Sequence, residues 1–302
     1  MSVPEPNKEQ KRIVILGAGF AGLKLARRLT RNKRAQILLI DRNNYHQFQP
    51  LLYQVATAGL EPSSISFPIR KVFQKKSNIY IRITEVYKID PAIKVIYTQA
   101  GKFNYDILVI ALGTKTNYYG NSQLEEKCIG LKTVSEALYL RNKILNNYEK
   151  ALITENEKER EAALNIVIVG GGSTGVELAG AIAEMKKNTL PKEYPELDFS
   201  KMNIYLIEAL DRLLYSMTEF SSGKAAKYLE KLDVKILLNN YVESYDGMTI
   251  STNHEKINSM CVVWAAGVRA PYIQGITDNL IGNNGRIIVN EFNAVESLQS
   301  IY

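Results

Sequence analysis

Apolar, β-branched runs bounded by glycine or charge recur along the chain, and each predicts a strand buried on both faces. They are Arg12–Leu16, Ile37–Ile40, Ile107–Ala111, the run IVIV from 166, the run IYLI from 204, Val234–Leu238, Cys261–Ala265 and Arg286–Val289. Residues 79–105 instead alternate apolar and polar positions, which predicts antiparallel strands and turns. Helical spacing is clearest over Thr133–Ile153, where Val134, Ala137, Leu138, Ile144, Leu145, Tyr148 and Leu152 recur three and four apart. Shorter helices are predicted at Pro50–Ala58, with Pro50 in the first turn, at the basic stretch Ser66–Lys76, and at about 219–232. Residues 154–163 are charged and either prolong the long helix or loop out beyond it. Residues 115–132 read as a crossing linker and residues 1–11 as a disordered tail. Two short strands are expected around Asp246–Gly247.

The first buried run opens a larger unit, RIVILGAGFAGLKLARRLTRNKRAQILLID at 12–41. Gly17, Gly19 and Gly22 fit G-x-G-x-x-G between a strand and a helix. The first glycine makes the tight turn, the second admits a pyrophosphate, and the third lets helix and strand pack closely. The helix from Phe20 points its free N–H groups at the phosphates. Asp41 ends the second strand, 41 − 17 = 24 residues after the first glycine, near the spacing expected of a ribose-binding acid. NIVIVGGGSTGVELA at 165–179 repeats RIVILGAGFAGLKLA at 12–26 with a constant offset of 153, placing Gly170, Gly172 and Gly175 in the same slots. Its second strand ends in Glu208, after the insertion Lys186–Lys201. Two such cradles in one chain suit a hydride passed between a nicotinamide and a flavin. A strand-tip carboxylate accepts from a free 2′-hydroxyl and repels a 2′-phosphate, so Glu208 favours NADH; the nearby Arg212 is the one feature that could serve NADPH. The strand ends A-L-G-T at 111–114 and W-A-A-G at 264–267 put glycine at the carboxyl edge of each sheet, where such folds bind ligands.

Composition narrows the classes. The chain has 302 residues, enough for two domains, and its 46% hydrophobic content is that of a globular protein. No apolar run is long enough to span a bilayer, and MSVPEPNKEQKR lacks a signal core. The net charge of +7 is compatible with an anionic membrane surface or anionic cofactors, though a solvated basic surface explains it as well. Cys128 and Cys261 form no C-x-x-C, which argues against a redox dithiol, a zinc site or a disulfide framework. His46, one of two histidines, has no carboxylate or nucleophile at a readable spacing, so loop packing or phosphate contact is the better reading than general-base catalysis.

The segments GAGFAG (17–22), NYHQFQPLLYQVATAG (44–59), GGGSTGVELAGAIAE (170–184) and WAAGVRA (264–270) make the chain resemble the type II NADH dehydrogenases, single-subunit NADH:quinone oxidoreductases that pump no protons. The likeness runs from about residue 11 to the last residue. It implies FAD on the first nucleotide domain and NADH on the second, with nicotinamide stacked on flavin. By position, Gly17, Ala18, Gly19, Phe20, Ala21, Gly22, Asp41 and Arg42 would hold the FAD adenosine and pyrophosphate. Val86 would touch adenine, and Ala111, Gly113 and Thr114 would approach the flavin. Gly170, Gly171, Gly172, Ser173, Thr174, Gly175 and Glu208 would hold NADH, with Ala266 and Gly267 near the nicotinamide. The resemblance gives Glu177 the catalytic place beside the nicotinamide–flavin contact; it aligns with Lys24 of the first copy. The plain alternative for Glu177 is a carboxylate in the first helical turn, favoured by the helix dipole. No metal and no nucleic acid is implied.

The expected fold class is α/β, with two Rossmann-like, glutathione-reductase-type domains and the NADH domain inserted in the FAD domain. The expected extents are 1–115 for the first part of the FAD domain, 116–284 for the NADH domain and 285–302 for the return. In such enzymes the strand after QSIY leads to a glycine–aspartate pair at the FAD ribityl chain, then to the quinone pocket and amphipathic membrane-binding helices. The chain is therefore expected to be a fragment, soluble by itself. Its full-length parent would be a peripheral protein of the cytoplasmic face of the cell membrane, with quinone as partner and a homodimer as its assembly. The competing readings are a related disulfide or sulfide:quinone flavin oxidoreductase and a non-catalytic nucleotide-binding protein.

Overall fold

The computed structural model describes residues 3–302. The chain divides into two compact units. Of the described residues, unit 1 comprises 3–47, 66–115 and 268–302, and unit 2 comprises 48–65 and 116–267. The chain thus leaves unit 1 at Lys115 and returns to it at Val268.

Unit 1 is built on a parallel four-stranded sheet in the order Ile79–Ile83, Ala35–Asp41, Lys11–Leu16, Ile107–Ile110. Side chains alternate across a strand, and both faces here are covered. Ile13, Ile15, Ile37, Leu39 and Ile81 face the helices Phe20–Leu29 and Ile69–Val72, meeting Leu23, Ala26 and Ile69. Val14, Leu16, Leu38, Ile40 and Leu108 face the other way, against Ile89, Ile96 and Phe103 of an antiparallel sheet, Val86–Asp90, Val95–Thr98 and Gly101–Asn104. Residues 300–302 pair alongside Ile107–Ile110, with the Leu108 N–H donating to the Ser300 carbonyl at 2.9 Å.

Unit 2 repeats the plan. Its parallel sheet runs Val234–Leu237, Ile204–Ile207, Ile166–Val169, Cys261–Trp264, the same third, second, first, fourth order by position in the chain. That order is one half of a doubly wound dinucleotide fold. A second antiparallel sheet, Val242–Tyr245, Thr249–Thr252 and Lys256–Asn258, packs through Tyr245, Ile250 and Ile257 onto Val167 and Val169. The helix Val134–Ile153 starts with a capping box: Thr133 accepts from the Glu136 N–H, and Glu136 accepts from the Thr133 N–H. It buries Leu140 and Ala151 as well as the expected Val134, Ala137, Ile144 and Tyr148, and leaves Leu145 exposed.

Several local expectations are corrected. Ile79–Ile83 is a parallel edge strand of the main sheet, not part of the antiparallel run; its alternation reflects an edge covered mainly on one face. Ser66–Lys76 is a strand, Ser66–Pro68, followed by one helical turn at Ile69–Val72, because Pro68 stops helix upstream of it. The crossing linker contains a helix, Ser122–Lys127, capped by Asn121. Residues 157–164 form a separate helix with Asn156 as its cap. Arg286–Val289 is no ladder strand and makes one bridge, Ile281 to Ile287. In the expected disordered tail, Met1 and Ser2 lie outside the described residues. Val3 is buried in the core, and the Pro4 carbonyl accepts from Arg12 Nη2 at 2.7 Å and Gln36 Nε2 at 3.0 Å. The unit limits also differ from the expected extents. Residues 48–65 group with unit 2, where Leu52–Ala56 packs on the helices Val134–Ile153 and Ser173–Asn188. Residues 268–284 group with unit 1, where Ile273 and Ile276 join the core and the Ile89 N–H donates to Gln274.

Candidate functional site

In unit 1 the strand Lys11–Leu16 ends at Gly17, whose φ of +100° only glycine holds without strain. The Gly17 N–H donates to the Ile40 carbonyl at 2.7 Å, tying the turn to the neighbouring strand. A Cβ on Gly22 would lie 1.9 Å from the Gly17 carbonyl oxygen, so helix and turn are in direct backbone contact. A Cβ on Gly19 would meet nothing within 4 Å. Gly19 is the N-cap of the helix Phe20–Leu29, no side chain caps that end, and no acid sits in its first turn. The result is an open, positively polarised helix end lined by Gly19, Phe20 and Ala21, the chemistry that suits a phosphate.

Unit 2 builds the same object. Gly170 has φ +113°, its N–H donates to the Ile207 carbonyl at 2.7 Å, and a Cβ on Gly175 would lie 1.9 Å from the Gly170 oxygen. Gly172, the N-cap of Ser173–Asn188, is again open and without a side-chain cap. Ser173 and Thr174 begin that helix.

The two strand-tip acids do more than the spacing foretold. Asp41 Oδ2 accepts from the Ala18 N–H at 2.7 Å, and Oδ1 accepts from the Asn43 N–H at 2.7 Å. Glu208 Oε2 accepts from the Gly171 N–H at 2.6 Å, and Oε1 from the Leu210 N–H at 2.9 Å. Each acid therefore latches its own glycine turn and keeps further lone pairs for a hydroxyl donor. Arg212 is engaged by its own loop, donating to the Tyr215 and Met217 carbonyls at 2.9 and 3.1 Å and lying over the Tyr215 ring.

The remaining carried-over residues lie around these turns. The Ala111 N–H donates to the Leu16 carbonyl, Gly113 has φ +71°, and Thr114 is exposed. Arg42 is exposed next to Asp41. Val86 opens its strand and packs against the unit 1 core, while the Thr84 N–H donates to the Asp41 carbonyl at 2.9 Å. In unit 2, Tyr119 Oη donates to the Ala266 carbonyl at 3.0 Å, and a Cβ on Gly267 would lie 2.5 Å from that hydroxyl. Tyr119 has φ +53° and is 66% exposed, so it sits over the Ala266–Gly267 edge. Nothing in the sequence pattern singled it out.

Glu177 is the fifth residue of Ser173–Asn188, in the second helical turn, and the first turn holds no acid. The dipole explanation for it therefore weakens, because that effect fades beyond the first turn. Burial raises its carboxyl above the ordinary carboxylate range. It lines a cavity of about 660 Å³ within unit 2, together with Tyr53, Gln54, Thr57, Glu184 and Tyr228. Tyr228 Oη donates to Glu184 at 2.8 Å. The 48–65 segment thus reaches the surroundings of Glu177, a placement that only the three-dimensional structure reveals.

His46 is buried, with its Nδ1 2.9 Å from the Ala18 carbonyl and its ring between Phe20 and Phe67. The ring packs within the loop and meets a backbone carbonyl, with no carboxylate among these contacts. Both cysteines are buried in unit 2, and burial pushes each thiol up to about 12. Neither is a nucleophile at neutral pH.

Comparison with known proteins agrees with this geometry. The family described as pyridine nucleotide-disulphide oxidoreductase matches residues 11–302. The chain is similar to type II NADH:quinone oxidoreductase NdhA of Mycobacterium tuberculosis, at 36% identity over 92% of this chain and 62% of that protein. It is also similar to the type II NADH:quinone oxidoreductase of Haemophilus influenzae, at 31% identity over 96% of this chain and 70% of that protein. Among solved structures it resembles NDH2 from Plasmodium falciparum in complex with NADH, with a TM-score of 0.80 at 25% identity over 87% of this chain and 56% of that one. The chain spans 62% and 58% of the length of two Mycobacterium relatives.

Proposed function

Because the chain belongs to the pyridine nucleotide-disulphide oxidoreductases, and among them to the type II NADH:quinone oxidoreductases, we propose that its two glycine cradles serve FAD in unit 1 and NADH in unit 2 of an enzyme that reduces quinone. The observation that carries this reading is the duplicated cradle: an open N-cap glycine, an uncapped helix end and an acid-latched turn, built twice. The space at Gly19 and Gly172 and the uncapped N–H groups fit a pyrophosphate in each unit.

When bound, FAD supplies a ring that takes a hydride from NADH and gives two electrons to the acceptor. The residues of the chain bind and orient. Gly17, Gly19 and Gly22 with Asp41 hold the FAD end, and Gly170, Gly172, Gly175 with Glu208 hold NADH. Arg42, Val86, Ala111, Gly113 and Thr114 complete the first site in this proposal, and Ala266 and Gly267 the second. The Glu208 carboxylate, with Arg212 turned to its own loop, supports NADH over NADPH. Glu177 is the proposed group beside the nicotinamide, and its raised carboxyl suits a residue that holds or passes a proton there. A quinone acceptor is lipid-soluble, so the proposal places the working protein at a membrane surface, as a peripheral protein.

The test is the visible spectrum of the chain after FAD loading, recorded before and after anaerobic NADH and then after a water-soluble quinone. The expected result is a flavin band that bleaches with NADH and returns with quinone. A chain that takes up no flavin, or whose flavin NADH leaves oxidised, would overturn the reading.

A further inference from the structure

We propose that His46 is a positioning residue for the flavin pyrophosphate, acting through the Ala18 carbonyl; this rests on the assignment of FAD to unit 1. Ala18 is gripped through both of its peptide groups, by its N–H on one side and its carbonyl on the other. Asp41 Oδ2 accepts from the Ala18 N–H at 2.7 Å, and His46 Nδ1 lies 2.9 Å from the Ala18 oxygen. A carbonyl oxygen has no proton to give, so Nδ1 is the donor and carries a hydrogen. No peptide bond of the described chain is cis, and in a trans peptide C=O and N–H point in opposite directions. Aiming the Ala18 carbonyl at His46 therefore aims the Gly19 N–H away from it, and a Cβ on Gly19 would meet no atom of the chain within 4 Å. An N–H free of His46 at an open, uncapped helix end is the donor a phosphate would use.

Unit 2 shows what the arrangement replaces. There Glu208 accepts from the Gly171 N–H at 2.6 Å, and the Gly171 carbonyl accepts from the backbone N–H of Leu214 at 2.8 Å. The carbonyl of the corresponding residue is held there too, but by main chain. In unit 1 the donor is a side chain, held by the pairing of Tyr45–Gln47 with Ser66–Pro68 and by the Phe20 and Phe67 rings. The unit 1 lock is therefore removable by substitution, and the unit 2 lock is not.

The experiment measures the FAD Kd by quenching of flavin fluorescence for wild type, His46→Asn and His46→Leu, with NADH binding measured on the same samples. Asparagine places an amide N–H near the Nδ1 position, whereas leucine fills space without a donor. Leucine is expected to weaken FAD about tenfold, which is about 1.4 kcal/mol. Asparagine is expected to restore most of that loss, and NADH binding is expected to be unchanged in both. Nitrogen NMR of the two histidines in the FAD-free chain should show a proton on Nδ1 of His46. Equal losses in both variants would reduce His46 to ring packing and overturn the proposal, as would unchanged FAD binding in the leucine variant or a bare Nδ1. A wild-type chain that binds no FAD would remove the FAD assignment itself, and this proposal with it.

Discussion

Two glycines three residues apart should fail in opposite ways when each becomes alanine. At Gly22 the new Cβ would sit 1.9 Å from the Gly17 carbonyl oxygen, against 3.4 Å for ordinary contact, a shortfall of 3.4 − 1.9 = 1.5 Å. Both neighbours are backbone, so the helix must lift from the turn. Overpacking of this kind costs about 1–3 kcal/mol, and the rigid partner puts it at the upper end. For a unit of this size that lowers Tm by roughly 6–12 °C. At Gly19 the Cβ meets no protein atom, and φ −69°, ψ −164° is extended backbone open to alanine. The weaker N-cap and the stiffer unfolded chain nearly cancel, leaving stability within about 0.5 kcal/mol. The methyl group instead occupies the open space where the proposed site would take the phosphates. Each charge-assisted hydrogen bond lost there costs about 1.5–3 kcal/mol, or roughly 10- to 150-fold in Kd. Thermal unfolding and FAD titration on both variants separate the effects. If Gly19→Ala binds FAD like wild type, or if the two variants lose stability alike, the assignment of space at Gly19 is wrong. Gly172→Ala and Gly175→Ala should show the same split for NADH.

Glu177→Gln should slow NADH-driven turnover while leaving FAD affinity within twofold, about 0.4 kcal/mol; equal turnover would remove its proposed role. Because folding raises this carboxyl, its ionisation opposes folding, so wild type loses a little stability as pH climbs from the ordinary glutamate range to the raised value. The glutamine variant should lack that slope in pH-dependent melting curves. With thiols pushed up to about 12, Cys128 and Cys261 should resist a chromogenic thiol reagent at pH 8 in the native chain and react only after denaturation. Rapid native labelling would contradict their burial. Thr133→Ala removes one half of a capping box and should cost about 1 kcal/mol by urea unfolding, whereas Thr133→Ser should cost less than half of that.

Local pattern and local chemistry made the strand–turn–helix units legible. The apolar runs at 12–16 and 166–169 are buried strands, the glycines hold the positive φ and close contacts their spacing demands, Asp41 ends its strand and Glu208 directly follows its own. What spacing could not carry was direction. It placed Asp41 and Glu208 at strand tips but could not say that each carboxylate turns back to hold a backbone N–H of its own glycine loop. Nor could it find neighbours that arrive from elsewhere in the chain, such as His46 on Ala18, Tyr119 on Ala266, or Tyr53 on the wall of the cavity that Glu177 also lines. Ile79–Ile83 was misread for a related reason. Alternation reports how many faces of a strand are covered, not which way its neighbour runs.

The acid latch also makes chain length between turn and strand tip a free variable. From first glycine to acid is 41 − 17 = 24 residues in one copy and 208 − 170 = 38 in the other, yet the ring closes at 2.7 and 2.6 Å in both. The additional length extends the helix to Asn188 and adds the outlying segment that follows it. Phe199 anchors that segment against Tyr148, while Pro195 and Glu196 are exposed. The second copy thus carries a natural insertion port. A tag or fluorophore spliced between Pro195 and Glu196 would travel with the second glycine cradle without entering it, and would give one of two similarly built units a handle of its own.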